Sequence, residues 1–168
     1  MTRETQVGVY EYEEPLDYGP WEELLEIIWS EMPDYVVNLG DFTEPYYEDA
    51  PTHTPLAIDL LACKRIRYIK LLGNHDRTDG LDNVMLDGYR YEHGHKLAQY
   101  GSQEYDHKEY VAALRENTKG MRVIHGHTHY PKLTKFGDVT TLDVGSVTFS
   151  RTFGRINDGV PIIGHLKG

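Results

Sequence analysis

The chain has 168 residues, 39% of them hydrophobic and 26% charged, and this size and composition predict one globular domain over residues 1–168. It has neither an apolar run near the roughly 20 residues of a membrane span nor a basic-then-apolar leader, so we expect a cytoplasmic protein without a membrane segment. The net charge of −10 is concentrated in residues 1–60, which hold 15 Asp and Glu against one Lys or Arg. Such an acidic surface argues against nucleic-acid binding. The single cysteine, Cys63, excludes an intrachain disulfide and fits a reducing compartment.

The first part of the chain predicts a strand followed by an amphipathic helix. Gln6–Tyr10 is suited to an opening strand. Behind Gly19-Pro20, apolar residues recur at helical spacing, and Pro20 is suited to the first helical position. We expect this stripe to be buried against a sheet rather than to bind a partner, and its members are Trp21, Leu24, Leu25, Ile28, Trp29 and Met32.

The rest of the chain indicates a layered α/β domain that ends in hairpins. Helices are expected over residues 55–63 and 104–117. Short strands are expected at Lys132–Phe136, 139–142 and 160–163, where they would form a second sheet. Gly137-Asp138 has the composition of the hairpin turn between the first two of these strands.

Four predicted strands are followed directly by residues that can bind metal ions. The strands at 35–39, 66–72, Tyr89–Glu92 and 121–125 lead into Gly40-Asp41, Gly73-Asn74-His75-Asp76, His93-Gly94-His95 and Gly126-His127-Thr128-His129, respectively. Open α/β sheets place their sites beyond the carboxyl ends of strands. In extended backbone, His127 and His129 would point the same way while Thr128 points elsewhere, and Gly126 would allow a sharp turn. The sequence therefore predicts a metal site.

The order of these motifs resembles that of the calcineurin-like metallophosphoesterases, especially their short single-domain phosphodiesterases. The resemblance spans residues 35–146, and Asp143-Val144-Gly145-Ser146 lies where that family tends to have Asn-Pro-Gly-Ser. It implies the family's α/β fold, a two-sheet sandwich flanked by helices in four αββα layers. It also implies hydrolysis of a phosphoester, most simply a phosphodiester, by a metal-activated hydroxide.

The resemblance further implies a role for each matching residue. Asp41 would bridge two metal ions, Asn74, His93 and His127 would complete the second metal's ligands, and His129 would bind the first metal. His75 would be the general acid, Asp76 would orient it, and His95 would contact the substrate phosphate. The implied cofactor is one or two divalent ions per chain, Mn²⁺ by preference, with Mg²⁺, Zn²⁺ or Fe as alternatives. His125 is expected to be a packed residue next to the site.

The first motif of the family, Asp-x-His, is missing from this chain. Aligning the opening strand places Tyr12 and Glu14 at its two positions, and a shift of one residue places Glu11 and Glu13 there. We expect these glutamates to lie in a solvated acidic segment, with a metal-binding carboxylate from Glu11, Glu13 or Glu14 as the alternative. The favoured function is a metal-dependent phosphodiesterase. The alternatives are a degenerate relative that serves as a binding or structural component, and a purely structural or regulatory metal site.

Overall fold

The structure, a computed structural model, describes residues 6–11, 18–40, 66–73, 81–94, 112, 116, 122–136, 139–147 and 150–167. Its helix is α1 (Tyr18–Glu31), and its strands are β1 (Gln6–Tyr10), β2 (Tyr35–Asn38), β3 (Arg67–Lys70), β4 (Asn83–Leu86), β5 (Tyr89–Glu92), β6 (Val123–His125), β7 (Lys132–Phe136), β8 (Val139–Asp143), β9 (Thr152–Asn157) and β10 (Val160–His165).

The strands form two mixed sheets of five strands each. The first sheet has the order β10-β9-β1-β2-β3, and the second has the order β4-β5-β6-β8-β7. Each sheet contains three neighbouring strands that run parallel: β1, β2 and β3 in the first, and β5, β6 and β8 in the second. The two-sheet α/β fold predicted from the sequence is confirmed. Its parallel strands place several carboxyl ends at one edge of each sheet, where the predicted motifs begin.

Two apolar layers hold these elements together. Between the sheets, Val9 and Val37 of the first sheet pack in one buried cluster with Tyr91, Ile124 and Leu142 of the second. The opposite face of the first sheet is covered by α1. Because residues four apart lie on one face of a helix, α1 buries one side of its surface against this sheet. The residues of this second cluster include Leu24, Ile28, Tyr10, Val36 and Phe153.

The helix differs from its prediction in two details. It begins at Tyr18, two residues before Pro20. Proline is tolerated there because the N–H groups of the first turn have no partner within the helix. Leu24 and Ile28 are buried as predicted, whereas Trp29 is 38% exposed and so was wrongly assigned to the buried stripe.

The last predicted strand lies in a different sheet from the one expected. β10 pairs with β9 through the tight turn at Asp158-Gly159, in which both residues have positive φ, 49° and 78°. Because β9 pairs with β1, β10 becomes an edge strand of the first sheet, not of the second. β4 and β9 were not predicted, whereas β7 and β8 pair antiparallel as the expected hairpin requires.

Several predicted elements lie partly or wholly outside the described residues. These include the helix over residues 55–63 and the turn at Gly137-Asp138. Within the helix predicted over residues 104–117, the structure describes Ala112 and Glu116, and both have helical backbone. Among the described helices, none is both long enough and apolar enough to cross a membrane.

Candidate metal site

The predicted site residues divide into two groups. His93, His127 and His129 are described, and so is Glu11. Asp41, Asn74, His75, Asp76 and His95 lie outside the described residues, as do Tyr12, Glu13 and Glu14. The positions of this second group remain predictions from the sequence. The geometry of the site therefore rests on the first group and on the strand ends from which the second group follows.

The glycines that precede Asp41 and Asn74 touch each other. A Cβ atom added to Gly40 would lie 2.3 Å from the backbone nitrogen of Gly73, so only glycine allows this approach. Gly40 also has φ of +103°, which favours glycine. The Asn38 side chain holds this turn, because its Oδ1 accepts the Gly40 N–H at 3.0 Å. The chain therefore leaves β2 and β3 at adjacent points.

His93 links the second sheet to the end of β2. It follows β5 and is 1% exposed, and its Nδ1 lies 3.0 Å from the carbonyl oxygen of Leu39. A carbonyl oxygen only accepts, so Nδ1 carries the hydrogen and the lone pair of the neutral ring is on Nε2. That lone pair is the one a metal ion would use, and the Leu39 contact is the kind that orients metal-binding histidines.

His93 and His127 form the first donor pair. Nε2 of His93 lies 3.1 Å from Nδ1 of His127, and the two rings meet nearly edge to face at 71°. Two nitrogens that bind one cation through bonds of about 2.1 Å at roughly a right angle are about 3 Å apart. The observed distance therefore suits two ligands of one divalent ion.

Glu11 and His129 form the second donor pair. Glu11 directly follows β1, and Oε1 of its carboxylate lies 3.1 Å from Nε2 of His129. Its other oxygen, Oε2, accepts the His127 N–H at 2.6 Å. The side chain is 0% exposed, so the expectation that this glutamate lies in a solvated acidic segment is wrong. Its position just after an apolar strand, shared with the other motifs, was the signal in the sequence.

The loop that carries His127 and His129 is not an extended strand. These residues have φ of +74° and +65°, in the left-handed region that is unfavourable for residues other than glycine. The expectation of extended backbone at His127 and His129 is therefore wrong. Thr128 does point elsewhere as predicted, because its hydroxyl donates to Oδ2 of Asp143.

Gly126 leaves room for the Glu11 carboxylate. A Cβ atom at this position would lie 2.2 Å from Oε2 of Glu11 and 3.2 Å from its Cδ. The glycine was predicted to allow a sharp turn at the end of the strand. In the structure its missing side chain also makes space for a carboxylate that comes from the other sheet.

Two buried titratable residues lie behind the loop. His125 is 1% exposed, as expected for a packed residue, and burial lowers its pKa to about 4. Its Nε2 has no hydrogen-bond partner among the described residues, so protonation there would leave a buried N–H unsatisfied. Burial raises the pKa of Asp143 well above its ordinary value, against the opposing effect of hydrogen bonds from Thr128 and Gly145. In the sequence, Asp143 stands out only as the first residue of the segment that lies where the family tends to have Asn-Pro-Gly-Ser.

The described donors fit divalent metal ions in chemistry but make only part of a site. In the ranges that the structure describes, no three His, Cys, Asp or Glu side chains form a group that could hold a metal ion. What they provide is two pairs, one of two imidazoles and one of a carboxylate and an imidazole. A complete site needs the carboxylate and amide predicted at Asp41 and Asn74, which follow the touching glycines.

Solved structures with the same fold include phosphoesterases and sorting proteins. YfcE, a phosphoesterase from E. coli, is 18% identical with a TM-score of 0.65, covering 97% of this chain and 94% of its own. An archaeal phosphodiesterase is 17% identical with a TM-score of 0.63, covering 96% and 100%. Vps29 from Entamoeba histolytica in complex with Zn²⁺ is 16% identical with a TM-score of 0.56, covering 96% and 98%.

At these identities the structural likenesses establish the fold alone. A comparison with curated protein sequences gives no match. The sequence itself matches the calcineurin-like phosphoesterase superfamily domain over residues 18–157, which include Asp41, Asn74, His93, His127 and His129 but not the alternative ligands Glu11, Glu13 and Glu14. The chain therefore belongs to the calcineurin-like phosphoesterase superfamily.

Proposed function

We propose that this protein is a metal-dependent phosphoesterase that hydrolyses a phosphodiester. The observation that carries the proposal is the pair of donor contacts at 3.1 Å, one between His93 and His127 and one between Glu11 and His129. Both pairs lie where ends of the two sheets meet, as the contact of His93 with Leu39 shows. A site for two divalent ions needs protein ligands for each ion, and each of these pairs supplies two of them.

The proposed ligands combine these pairs with the residues predicted from the motifs. His93, His127 and Asn74 would bind one ion, His129 and Glu11 the other, and Asp41 would bridge them. Glu11 thus takes the place that the missing Asp-x-His motif leaves open. Carboxylate and amide oxygens beside imidazoles suit Mn²⁺, with Mg²⁺, Zn²⁺ and Fe as alternatives.

The chain's own residues divide the chemistry among them. When bound, the divalent ions neutralise charge on the phosphoryl group and make water a stronger nucleophile at neutral pH. His75 would hold the proton that the leaving alkoxide receives, and Asp76 would orient its imidazole. His95 would contact a phosphate oxygen, which positions the diester for attack. The buried Leu39 contact keeps the Nε2 lone pair of His93 directed at the site.

The remaining expectations concern the surroundings of the enzyme. We place it in the cytoplasm, where the single Cys63 would stay reduced. Its substrate would be a small phosphodiester rather than a nucleic acid, because the acidic segment over residues 1–60 repels polyanions.

A hydrolysis assay tests the proposal. Metal-free protein is supplied with Mn²⁺ and bis-(p-nitrophenyl) phosphate, and release of p-nitrophenolate is followed. We expect turnover by the wild-type protein and none by His127→Ala or Asn74→Ala. His165→Ala is the control, because His165 is an exposed histidine at the end of the edge strand β10 and should retain full activity. Absence of turnover with Mn²⁺, Mg²⁺, Zn²⁺ and Fe²⁺ alike would contradict the proposal.

The second candidate function is a binding or structural component that keeps the fold without catalysis. The loss of Asp-x-His favours it, and the fold is also that of Vps29. This candidate predicts one metal ion or none per chain and no turnover. Elemental analysis of the preparation used in the assay separates the two, because the phosphodiesterase predicts bound metal together with turnover.

A further inference from the structure

Two acidic side chains, one from each sheet, hold the loop Gly126-His127-Thr128-His129. Glu11, from the first sheet, accepts the His127 N–H. Asp143, at the end of β8 in the second sheet, accepts the hydroxyl of Thr128, the residue between the two histidines. Thr128 is 6% exposed and Asp143 is 1% exposed, so water competes little for this contact.

The loop needs such support because of its backbone. His127 and His129 both have positive φ, which costs free energy for any residue with a Cβ, and such conformations persist only where surrounding contacts impose them. The Thr128 hydroxyl lies at the middle of this strained stretch. It also accepts the Tyr130 N–H at 3.2 Å. The Thr128 side chain therefore connects this part of the loop to Asp143 in the second sheet.

Asp143 is itself fixed on several sides. It pairs with His125 in the parallel register of β6 and β8. Its Oδ1 accepts the Gly145 N–H at 2.9 Å, and the next residue, Val144, donates its N–H to the His125 carbonyl at 2.9 Å. A Cβ atom at Gly145 would lie 2.1 Å from Oγ1 of Thr152, so this turn has little freedom to move. Asp143 is therefore a rigid anchor for Thr128.

We propose that Asp143 is a positioning residue that acts through Thr128. It keeps the imidazole of His127 directed at His93 and the imidazole of His129 directed at Glu11. The inference rests on the proposed metal-binding function and deepens it. The hydroxyl contact does not touch metal or substrate. It holds the backbone of Thr128, which lies between the two histidines. Without this contact, we expect the rings of His127 and His129 to lose their orientation together.

The test measures Co²⁺ binding by titration calorimetry and by the visible absorption spectrum of the bound ion, which reports ligand geometry. Thr128→Val keeps the shape of the side chain and removes the hydroxyl, and Thr128→Ser keeps the hydroxyl. We expect Thr128→Val to bind Co²⁺ about 10 to 100 times more weakly, the usual cost of losing a contact that orients a metal ligand, with an altered spectrum. Thr128→Ser should bind close to the wild-type value.

The matched control is Thr134→Val. Thr134 is as buried as Thr128, at 6% exposed, and lies in β7 of the second sheet. Its hydroxyl has no hydrogen-bond partner among the described residues. This variant should bind Co²⁺ like the wild type. If Thr128→Val does not fold, Asp143→Ala is compared with Asp143→Asn, whose carboxamide can still bond Thr128. Weak binding by Asp143→Ala and recovery in Asp143→Asn support the proposal.

Three results would overturn it. Wild-type affinity and spectrum in Thr128→Val would refute the inference alone. A lower melting temperature of metal-free Thr128→Val, with unchanged Co²⁺ affinity and spectrum, would assign the contact a merely structural role. Absence of Co²⁺ binding by the wild-type protein would refute the proposed function, and this inference with it.

Discussion

Nε2 of His129 lies 3.1 Å from Oε1 of Glu11, although 118 residues separate them in the chain. The contact joins the two sheets, because Glu11 follows β1 and His129 lies in the loop after β6. A carboxylate that is 0% exposed is costly to bury unless a positive charge offsets its own. A protonated His129 or a metal ion can supply that charge.

Substitution of Glu11 should remove one metal ion. Glu11→Gln keeps an oxygen that can accept the His127 N–H but lacks the negative charge that binds a cation. We expect the wild-type protein to retain two equivalents of Mn²⁺ after gel filtration and Glu11→Gln to retain one, as measured by elemental analysis. Glu31→Gln is the control, because Glu31 is exposed and pairs with Arg155 on the surface. Two equivalents of Mn²⁺ in Glu11→Gln would contradict the assignment.

A methyl group at Gly126 should displace the Glu11 carboxylate. The added Cβ would lie 2.2 Å from Oε2, so Gly126→Ala must move the carboxylate away from both histidines. We expect a loss of stability of about 1 to 3 kcal/mol, typical of overpacking, together with the loss of one Mn²⁺ equivalent. Gly8→Ala is the matched control, since the nearest atom to its added Cβ is an ordinary 3.8 Å away. Denaturant unfolding and metal analysis check both variants. Equal stability and equal Mn²⁺ content in Gly126→Ala and Gly8→Ala would contradict the prediction.

His125 and Asp143 should have opposite effects on the pH dependence of stability. Between its lowered pKa of about 4 and its usual 6.5, His125 binds a proton only in the unfolded chain, so it makes stability rise with pH. Above its usual pKa of 3.8, Asp143 keeps in the folded chain a proton that the unfolded chain has lost, so it makes stability fall with pH. In the wild-type protein the two slopes oppose each other.

Single substitutions should separate these two contributions to the pH dependence of stability in metal-free protein. Asp143→Asn leaves the His125 contribution, so the unfolding free energy of this variant should rise between pH 4 and 6.5 by up to about 1.4 kcal/mol per pH unit. His125→Asn leaves the Asp143 contribution, and its stability should fall as the pH rises above 3.8. Urea unfolding at several pH values measures this. Parallel profiles for the two variants and the wild type would show that the residues do not titrate as stated.

His75→Ala should separate catalysis from metal binding. If His75 is the general acid, its loss should lower kcat by about 10² to 10⁴ for a diester with an alkoxide leaving group. The reduction should be smaller for p-nitrophenolate, which leaves without a proton. Mn²⁺ content should stay at the wild-type value. Equal losses for both leaving groups would point to a different role for this residue.

Several features of the fold follow from patterns within short stretches of the chain. β1, β5 and β7 coincide with the predicted strands, since their apolar residues and flanking turns are local signals. The α1 stripe predicted burial of Leu24 and Ile28, because helical spacing alone puts them on one face. β10 was assigned to the wrong sheet because the pairing of β9 with β1 joins segments far apart in the chain, which no local pattern reports.

The sequence by itself determined the family and the two-sheet architecture, since ordered motifs after strands are readable along the chain. Only the tertiary structure showed that Glu11 approaches His129, because the two residues meet across two sheets. It also showed the left-handed backbone at His127 and His129 and the anchor at Asp143. These depend on where separate strand ends meet in space, and that is a property of packing rather than of residue order.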